Sequence, residues 1–115
     1  MSLEDTDNML SVLEGYMSDN ADVIAKQLAS DFRHRRVEKG FTREQMAERS
    51  GVAVSNIVRF EQKGLISLKN LISLAMALGY TAEVKNIFVQ PKYATMEELT
   101  QIRKNKGKTK AYGKL

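Results

Sequence analysis

The sequence predicts an all-α protein, and two observations carry this prediction. Apolar residues recur at helical spacing in successive segments of the chain. The glycines fall mostly between those segments, and the single proline, Pro91, lies late in the chain, so the elements between these residues favour helices over strands. At 115 residues the chain is long enough for one compact domain with modest extensions at its ends.

The composition excludes several classes of protein. The chain has no cysteine, which rules out disulfides and thiolate metal sites and favours a reducing cytoplasm. His34 is the only histidine and has no serine or thiol pattern beside it, so we predict no metal, no cofactor and no enzyme. No basic leader segment and no apolar run of about 18 residues is present, so we expect no membrane partner.

Charge is distributed unevenly along the chain. The first 22 residues contain six acids and no Lys or Arg, whereas the remainder carries all 18 Lys and Arg against eight acids. A remainder this basic is sufficient to attract a polyanion. The acidic segment is open to three interpretations: it shields the basic surface, it helps dimerisation, or it packs on the domain.

The amino-terminal half predicts three helices. Residues 7–17 carry an apolar stripe and are expected to form an acidic amphipathic helix. After a polar break at 18–20, apolar residues predict a long helix that ends at Gly40, and these residues are Ile24, Leu28 and Phe32. Thr42 and Gln45 have the spacing of a capping box that opens the next helix, whose inward side chains are Met46 and Ala47.

The segment ERSGVAVSNIVRFEQKG has a helix-turn-helix rhythm. One short helix ends at a glycine, and another begins about four residues later. Val52, Ile57 and Phe60 mark the buried side of the second helix. The side chains that this leaves facing outward are Val54, Ser55, Asn56 and Arg59.

The carboxy-terminal half predicts three shorter helices. Ser67 caps a fourth domain helix that ends at Gly79, with an apolar stripe made of Leu68, Leu71, Ile72, Ala75 and Leu78. A fifth helix is expected over about 82–88, ending before Pro91 and burying Val84, Ile87 and Phe88. Thr95 and Glu98 form another possible capping box, for a short helix that carries Leu99 and Ile102.

The last residues, RKNKGKTKAYGKL, form a basic tail of low hydrophobicity that we expect to be flexible. Three roles remain open for it: a solubilising end, a clamp on DNA, or a segment that folds on a partner protein. The predicted organisation is therefore an acidic extension over 1–20, a helix-turn-helix domain over 21–90, and a short helix with the tail over 91–115.

Residues from about Leu28 to Phe88 resemble the lambda-repressor-like, xenobiotic-response-element type of helix-turn-helix domain. The resemblance is carried by FRHRRVEKGFTREQMAERSGVAVSNIVRFEQKG followed by ISLKNLISLAMALG. The family's landmark positions are occupied by Gly40, Ala47, Gly51, Ile57 and Glu61. The phrase FEQKGLISL is further similar to HipB-like antitoxins, which implies a toxin protein as a possible partner.

The resemblance implies a double-stranded DNA partner and a role for particular residues. Val54, Ser55, Asn56 and Arg59 match the family's base-reading positions in the major groove. Ala53 stands where the family often has Ser or Thr. Phosphate contacts are expected from Arg33, Arg43, Lys63 and Lys69. Arg36 and Glu61 correspond to a structural ion pair between the first helix and the end of the recognition helix.

The predicted function is that of a transcriptional regulator, most simply a repressor, that binds a near-palindromic operator as a homodimer. One alternative is an antitoxin-type interaction protein that neutralises a toxin or kinase and uses DNA binding for autoregulation. Another is a bridging factor that joins the transcription machinery to regulators already bound to DNA.

Overall fold

The structure, a computed structural model, describes residues 19–108 and is entirely helical in its regular elements over that range. Its helices are α1 (Ala21–Glu38), α2 (Arg43–Ser50), α3 (Val54–Lys63), α4 (Leu68–Ala77), α5 (Thr81–Lys85) and α6 (Met96–Asn105). The all-α prediction is confirmed, while the helix predicted at 7–17 lies outside the described residues.

The described residues divide into two compact units, one that ends at Thr81 and one that begins at Ala82. The domain boundaries expected at 20/21 and 90/91 stay predictions. Within 19–108, none of the helices has the length and apolar content that would let it cross a bilayer.

Helix α1 begins and ends at recognisable caps. The Asn20 side chain accepts a hydrogen bond from the Val23 N–H at 3.0 Å, which satisfies one of the free donors of the first turn. At the other end Gly40 has a φ of +76°, the left-handed conformation of a glycine that follows a helix. The predicted stop at Gly40 is confirmed.

The predicted apolar face of α1 is only partly right. Phe32 is buried, but Ile24 and Leu28 are each 49% exposed. Helix α3 packs instead against the face that contains Ala29, Phe32 and Arg36. Besides Phe32, this face contains a small residue, Ala29, and an arginine, Arg36. The large apolar residues Ile24 and Leu28 therefore did not predict which face of α1 is buried.

Helix α2 opens with the predicted capping box. The Thr42 hydroxyl accepts from the Gln45 N–H at 3.1 Å, and the Gln45 side chain accepts from the Thr42 N–H at 2.9 Å. Met46 is fully buried, and the Arg49 guanidinium lies 4.2 Å from the centre of the Phe41 ring, a cation–π contact. The prediction for this helix is confirmed.

The first unit has one hydrophobic core, to which α1, α2, α3 and α4 all contribute. Phe32 of α1 and Phe60 of α3 meet with ring centres 5.4 Å apart and planes tilted by 52°, a favourable aromatic geometry. The buried apolar residues are Ala29, Phe32, Met46, Val52, Ile57, Phe60, Leu74 and Leu78. Burial of a large apolar side chain stabilises a fold by roughly 1.5–3 kcal/mol, so this core fixes where α3 lies.

Helix α4 is capped by Ser67, as predicted, through a 3.2 Å hydrogen bond from the Asn70 N–H to the Ser67 hydroxyl. Its burial differs from the prediction in two places. Leu74 is fully buried although the predicted stripe omitted it, and Leu68 is 71% exposed. Leu68 is the first residue of the helix and precedes the turns that enter the core.

The second unit departs most from expectation. Helix α5 ends at Lys85, and Ile87 and Phe88 are 61% and 93% exposed, so their predicted burial is wrong. After Lys85 the chain continues in turns, in which the Val89 N–H bonds to the Asn86 carbonyl. Val84, within α5, is half-buried. Because the helix ends at Lys85, Ile87 and Phe88 do not lie on the same helical face as Val84.

Helix α6 has the predicted cap at Thr95, whose hydroxyl accepts from the Glu98 N–H at 3.1 Å. The Glu98 carboxylate returns to the Ala94 N–H at 2.8 Å rather than to Thr95, so the reciprocal bond lies one residue earlier than a capping box requires. The helix continues to Asn105, and the first residues of the predicted flexible tail are therefore helical. Residues 109–115 lie outside the described range.

Candidate nucleic-acid interface

Helices α2 and α3 are joined by a short turn that begins at Gly51. Gly51 has a φ of +75°, and its N–H donates to the Ala47 carbonyl at 2.8 Å, which closes α2. Helix α3 then begins after Ala53, whose side chain supplies no capping hydrogen bond. The turn alone therefore directs the start of α3, without the hydroxyl cap that Ser or Thr would add.

Helix α3 has one buried side and one exposed side. Ile57 and Phe60 are almost completely buried, and they hold the helix against the core. Ser55, Asn56 and Arg59 are exposed, whereas Val54 is half-buried. Asn56 and Arg59 are three residues apart, so they are neighbours on the helix surface. Three of the four expected base-reading side chains are thus exposed to solvent.

A cleft of about 390 Å³ lies beside this exposed side. Asn56 and Arg59 of α3 form one wall, and Ser67 and Asn70 at the start of α4 form another. Sequence reasoning did not single out Asn70, because its place beside Arg59 depends on how α4 packs rather than on any local pattern. The cleft brings two amides and a guanidinium together, a set that offers both donors and acceptors.

The expected phosphate-binding cations come from each of the first four helices. Lys63 is the last residue of α3 and Lys69 the second residue of α4, so the two exposed ammonium groups flank the loop that joins these helices. Arg33 is exposed on α1, and Arg43 is the first residue of α2, with 34% of its side chain exposed.

Glu61 is the most buried charged side chain of the site, with only 1% of its side-chain surface exposed. Arg36 binds it through two hydrogen bonds, from Nε to Oε2 at 2.7 Å and from Nη2 to Oε1 at 3.0 Å. The Nη1 of Arg36 donates to the Phe41 carbonyl at 2.7 Å, which fixes the chain between α1 and α2. This network connects α1, the following loop and α3 through a single guanidinium.

Arg43 also reaches Glu61, with its Nε and Nη2 both 3.2 Å from Oε1. That oxygen already accepts from Arg36, so Arg43 is a second cation on a carboxylate whose bidentate partner is in place. The cluster of Arg36, Arg43 and Glu61 thus has two guanidinium groups for one carboxylate. Arg43 can therefore turn towards an external anion without leaving Glu61 unpaired.

A family model described as helix-turn-helix, of the lambda-repressor-like type, matches residues 32–84. Residues 32–84 form a lambda-repressor-like helix-turn-helix domain. The match runs from the second half of α1 into α5 and so includes the α2–turn–α3 arrangement, the cleft and the Glu61 network. Comparison with curated proteins finds no match.

The helix-turn-helix domain supports DNA binding in transcription regulation, in a family that is generally not enzymatic. In its geometry, α2 and its turn support α3, and α3 offers a polar exposed side. Helix α6 and the residues after 84 lie outside the matched segment.

Proposed function

We propose that this protein is a sequence-specific transcriptional regulator in the cytoplasm that binds a near-palindromic operator as a homodimer, acting as a repressor. The observation that carries the proposal is the two-sided character of α3. Ile57 and Phe60 fix the helix to the core, while Ser55, Asn56 and Arg59 remain exposed on it. A helix held rigidly with its polar side free is suited to the major groove, whose width admits an α-helix.

Each exposed side chain of α3 has a base edge that suits it. Arg59 can donate two hydrogen bonds to the O6 and N7 of guanine, and Asn56 can bind the N6 and N7 of adenine. Ser55 can donate or accept, and the half-buried Val54 offers a methyl contact to thymine. Each bidentate pair discriminates against a wrong base by roughly 1–3 kcal/mol.

The cations around α3 would set the register on the duplex without reading sequence. Lys63 and Lys69 flank the α3–α4 loop, and Arg33 and Arg43 lie on α1 and at the start of α2. Each phosphate contact adds about 0.9 to the slope with which log affinity falls against log salt concentration. Two such domains related by a two-fold axis would place their α3 helices in successive major grooves about 34 Å apart. Occupancy of a promoter by that dimer would block transcription.

The test is a binding titration of the purified full chain against the DNA upstream of its own gene and against a scrambled duplex, each at two salt concentrations. We expect the upstream DNA to bind at least about a thousandfold more tightly. Arg59→Ala should weaken that binding by roughly 5- to 150-fold, because a base contact worth about 1–3 kcal/mol is removed, and should weaken scrambled binding much less, since only one positive charge is lost there. Arg35→Ala is the matched control, since Arg35 pairs with Glu38 at the surface of α1.

Other outcomes point to other functions. Equal and steeply salt-dependent binding to both duplexes would reduce the interaction to electrostatic attraction. Absence of DNA binding, together with a toxin or kinase that copurifies with the chain, would favour the antitoxin-type interaction protein. Retention of regulatory activity in an Arg59→Ala, Asn56→Ala variant would favour the bridging factor.

A further inference from the structure

Helix α6 is polarised in charge along its length. Glu97 and Glu98 lie in its first turn, and Arg103 and Lys104 lie in its last turn. The basic run continues beyond the helix, and from residue 99 to residue 115 the chain has six Lys and Arg and no acid. The described cations of this run are all exposed, and we refer to them as the α6 basic surface: Arg103, Lys104, Lys106 and Lys108.

The acids of α6 form no ion pair with this surface. With a rise of about 1.5 Å per residue, Glu98 and Lys106 are separated by roughly 12 Å along the axis, beyond the screening length of about 8 Å at physiological salt. Arg103 is nearer, at roughly 7.5 Å from Glu98 along the axis, but it lies five residues away and so outside the spacing of a helical ion pair. Glu98 is also engaged by the Ala94 N–H at 2.8 Å. Among the described residues, ion pairs join Arg35, Arg36 and Arg43 to acids, and none includes a cation of the α6 basic surface.

Part of this surface has an apolar support. Arg103 and Lys106 line a shallow groove together with Pro91, Leu99 and Ile102. Long basic side chains lay their methylene stems on apolar surface of this kind and keep the charged ends in water. A side chain whose stem is restrained in this way loses less conformational entropy when its charged end binds an anion.

We propose that the α6 basic surface is a second DNA-binding site, which contacts the phosphate backbone next to the sequence read by α3. The proposal rests on the proposed function, because the helix-turn-helix domain must first hold the duplex. A segment joined covalently to that domain then meets the DNA at a high effective concentration. Phosphate binding requires only exposed hydrogen-bond donors that carry positive charge, and this surface supplies four such side chains.

A lipid surface is the competing anion, and α6 is poorly suited to it. Helices that lie on membranes combine basic residues with a broad exposed apolar face. In α6 the exposed large apolar residue is Met96, at the acidic end, and Leu99 and Ile102 are half-buried. Within α6 itself the cations are therefore not accompanied by a broad apolar face, and the exposed Ile87 and Phe88 of the same unit precede the helix.

The test compares the salt dependence of DNA binding in the full chain and in the variant R103Q, K104Q, K106Q, K108Q. The duplexes are one enriched by the protein from a random-sequence pool and a scrambled one. We expect the magnitude of the salt slope to fall by about 2 to 4, because each phosphate that the variant no longer binds lowers it by about 0.9. The dissociation constant should rise by the same factor on both duplexes, since phosphate contacts carry no sequence information.

Two control variants distinguish an effect of this local site on the salt slope from an effect of the protein's net charge. The first replaces four exposed lysines outside the surface by Gln, at Lys26, Lys39, Lys85 and Lys92, and should keep the parental slope. The second, R103K, K104R, K106R, K108R, preserves charge and should behave like the parent. Circular dichroism of each variant checks that helical content is unchanged.

A slope within about 0.5 of the parental value in the Gln variant would overturn the proposal, since that is less than the effect of a single phosphate. An equal fall of the salt slope in the first control variant, with Gln at Lys26, Lys39, Lys85 and Lys92, would also overturn it, because the effect would then come from net charge. Unchanged DNA binding with loss of binding to vesicles that contain phosphatidylserine would overturn it in favour of a lipid surface. The proposed function is judged separately, by the preference for the enriched duplex and its reduction in Arg59→Ala.

Discussion

Arg36 illustrates how one side chain can determine the geometry of a recognition helix. It is only 7% exposed, and three of its nitrogen atoms donate to acceptors on α3 and on the loop after α1. A buried charge is costly unless it is paired and fully hydrogen-bonded. In the described residues no buried side-chain nitrogen or oxygen lacks a partner, so this requirement is met.

The substitutions Arg36→Ala and Arg43→Ala should differ sharply although both remove a cation from Glu61. Loss of Arg36 removes the bidentate partner of a buried carboxylate, and we expect the free energy of unfolding to fall by roughly 3–5 kcal/mol. Loss of Arg43, a third of which is exposed, leaves Arg36 in place and should cost less than about 1 kcal/mol. Urea unfolding followed by circular dichroism measures both values.

The two variants should also separate stability from DNA binding. Arg43→Ala is expected to weaken DNA binding and to lower the salt slope by about 0.9, since we propose that Arg43 binds a phosphate. Equal destabilisation by the two substitutions would contradict the view that Arg36 alone suffices for Glu61.

Between the helices, a glycine allows the end of α3 to approach the backbone of α1 closely. Gly64 follows α3 with a φ of +69°, and a Cβ at this position would lie 3.1 Å from the carbonyl carbon of Ala25 and the nitrogen of Lys26. Gly51 has almost the same φ, +75°, but a Cβ there would meet nothing within 4 Å. The pair isolates the steric effect of close helix approach from the intrinsic strain of the left-handed conformation.

Gly64→Ala should therefore destabilise the protein more than Gly51→Ala. Both substitutions incur about 1–2 kcal/mol for an L residue in the left-handed region. Gly64→Ala adds roughly 1–3 kcal/mol because the atoms it would contact belong to the backbone of α1, which cannot rotate away. The difference in the free energy of unfolding is obtained from the denaturant midpoints of the two variants, with the same dependence of free energy on denaturant concentration assumed for both. Equal midpoints would show that α1 shifts freely at this position.

The helices also show what the sequence could predict. Helix ends were predicted well where a single residue determines them, as at Thr42, Ser67 and Gly40, because caps act through local hydrogen bonds and local backbone conformation. Buried faces were predicted less well. Leu28 and Phe88 are apolar but exposed, because burial depends on which neighbouring element covers a face and local spacing does not contain that information.

The exposed side of α3 was predictable for a related reason. A single helix with Ile57 and Phe60 buried defines its own outer side, so the exposure of Ser55, Asn56 and Arg59 follows from spacing alone. Asn70 belongs to another helix, and it joins the cleft only through the packing of α4. Sites that combine elements require the tertiary structure.

Across the full chain, acidic residues are concentrated at the start and basic residues at the end. This distribution suits an anionic partner that extends beyond the helix-turn-helix domain to the basic end of the chain. The first 22 residues have six acids and no base, and residues 99–115 have six bases and no acid. The proposed contacts of the helix-turn-helix domain and of the α6 basic surface act through the same long-range attraction. Their combined effect would be a steep salt dependence, with sequence preference contributed by α3 alone.

The proposed homodimer makes a geometric prediction about its operator. Two α3 helices held about 34 Å apart require half-sites separated by one helical turn of about 10–10.5 base pairs. Insertion of five base pairs between the half-sites turns one of them to the opposite side of the duplex, so one dimer can no longer engage both. We expect the affinity to fall by about a hundredfold or more, the usual size of a bivalent advantage, to the value for a single half-site. Fluorescence anisotropy with the intact, the lengthened and the single half-site duplexes measures this change, and sedimentation gives the stoichiometry. An intact and a lengthened duplex of equal affinity would mean that each half-site binds an independent monomer, in which case α3 would still read sequence but the two-fold arrangement would have to be abandoned.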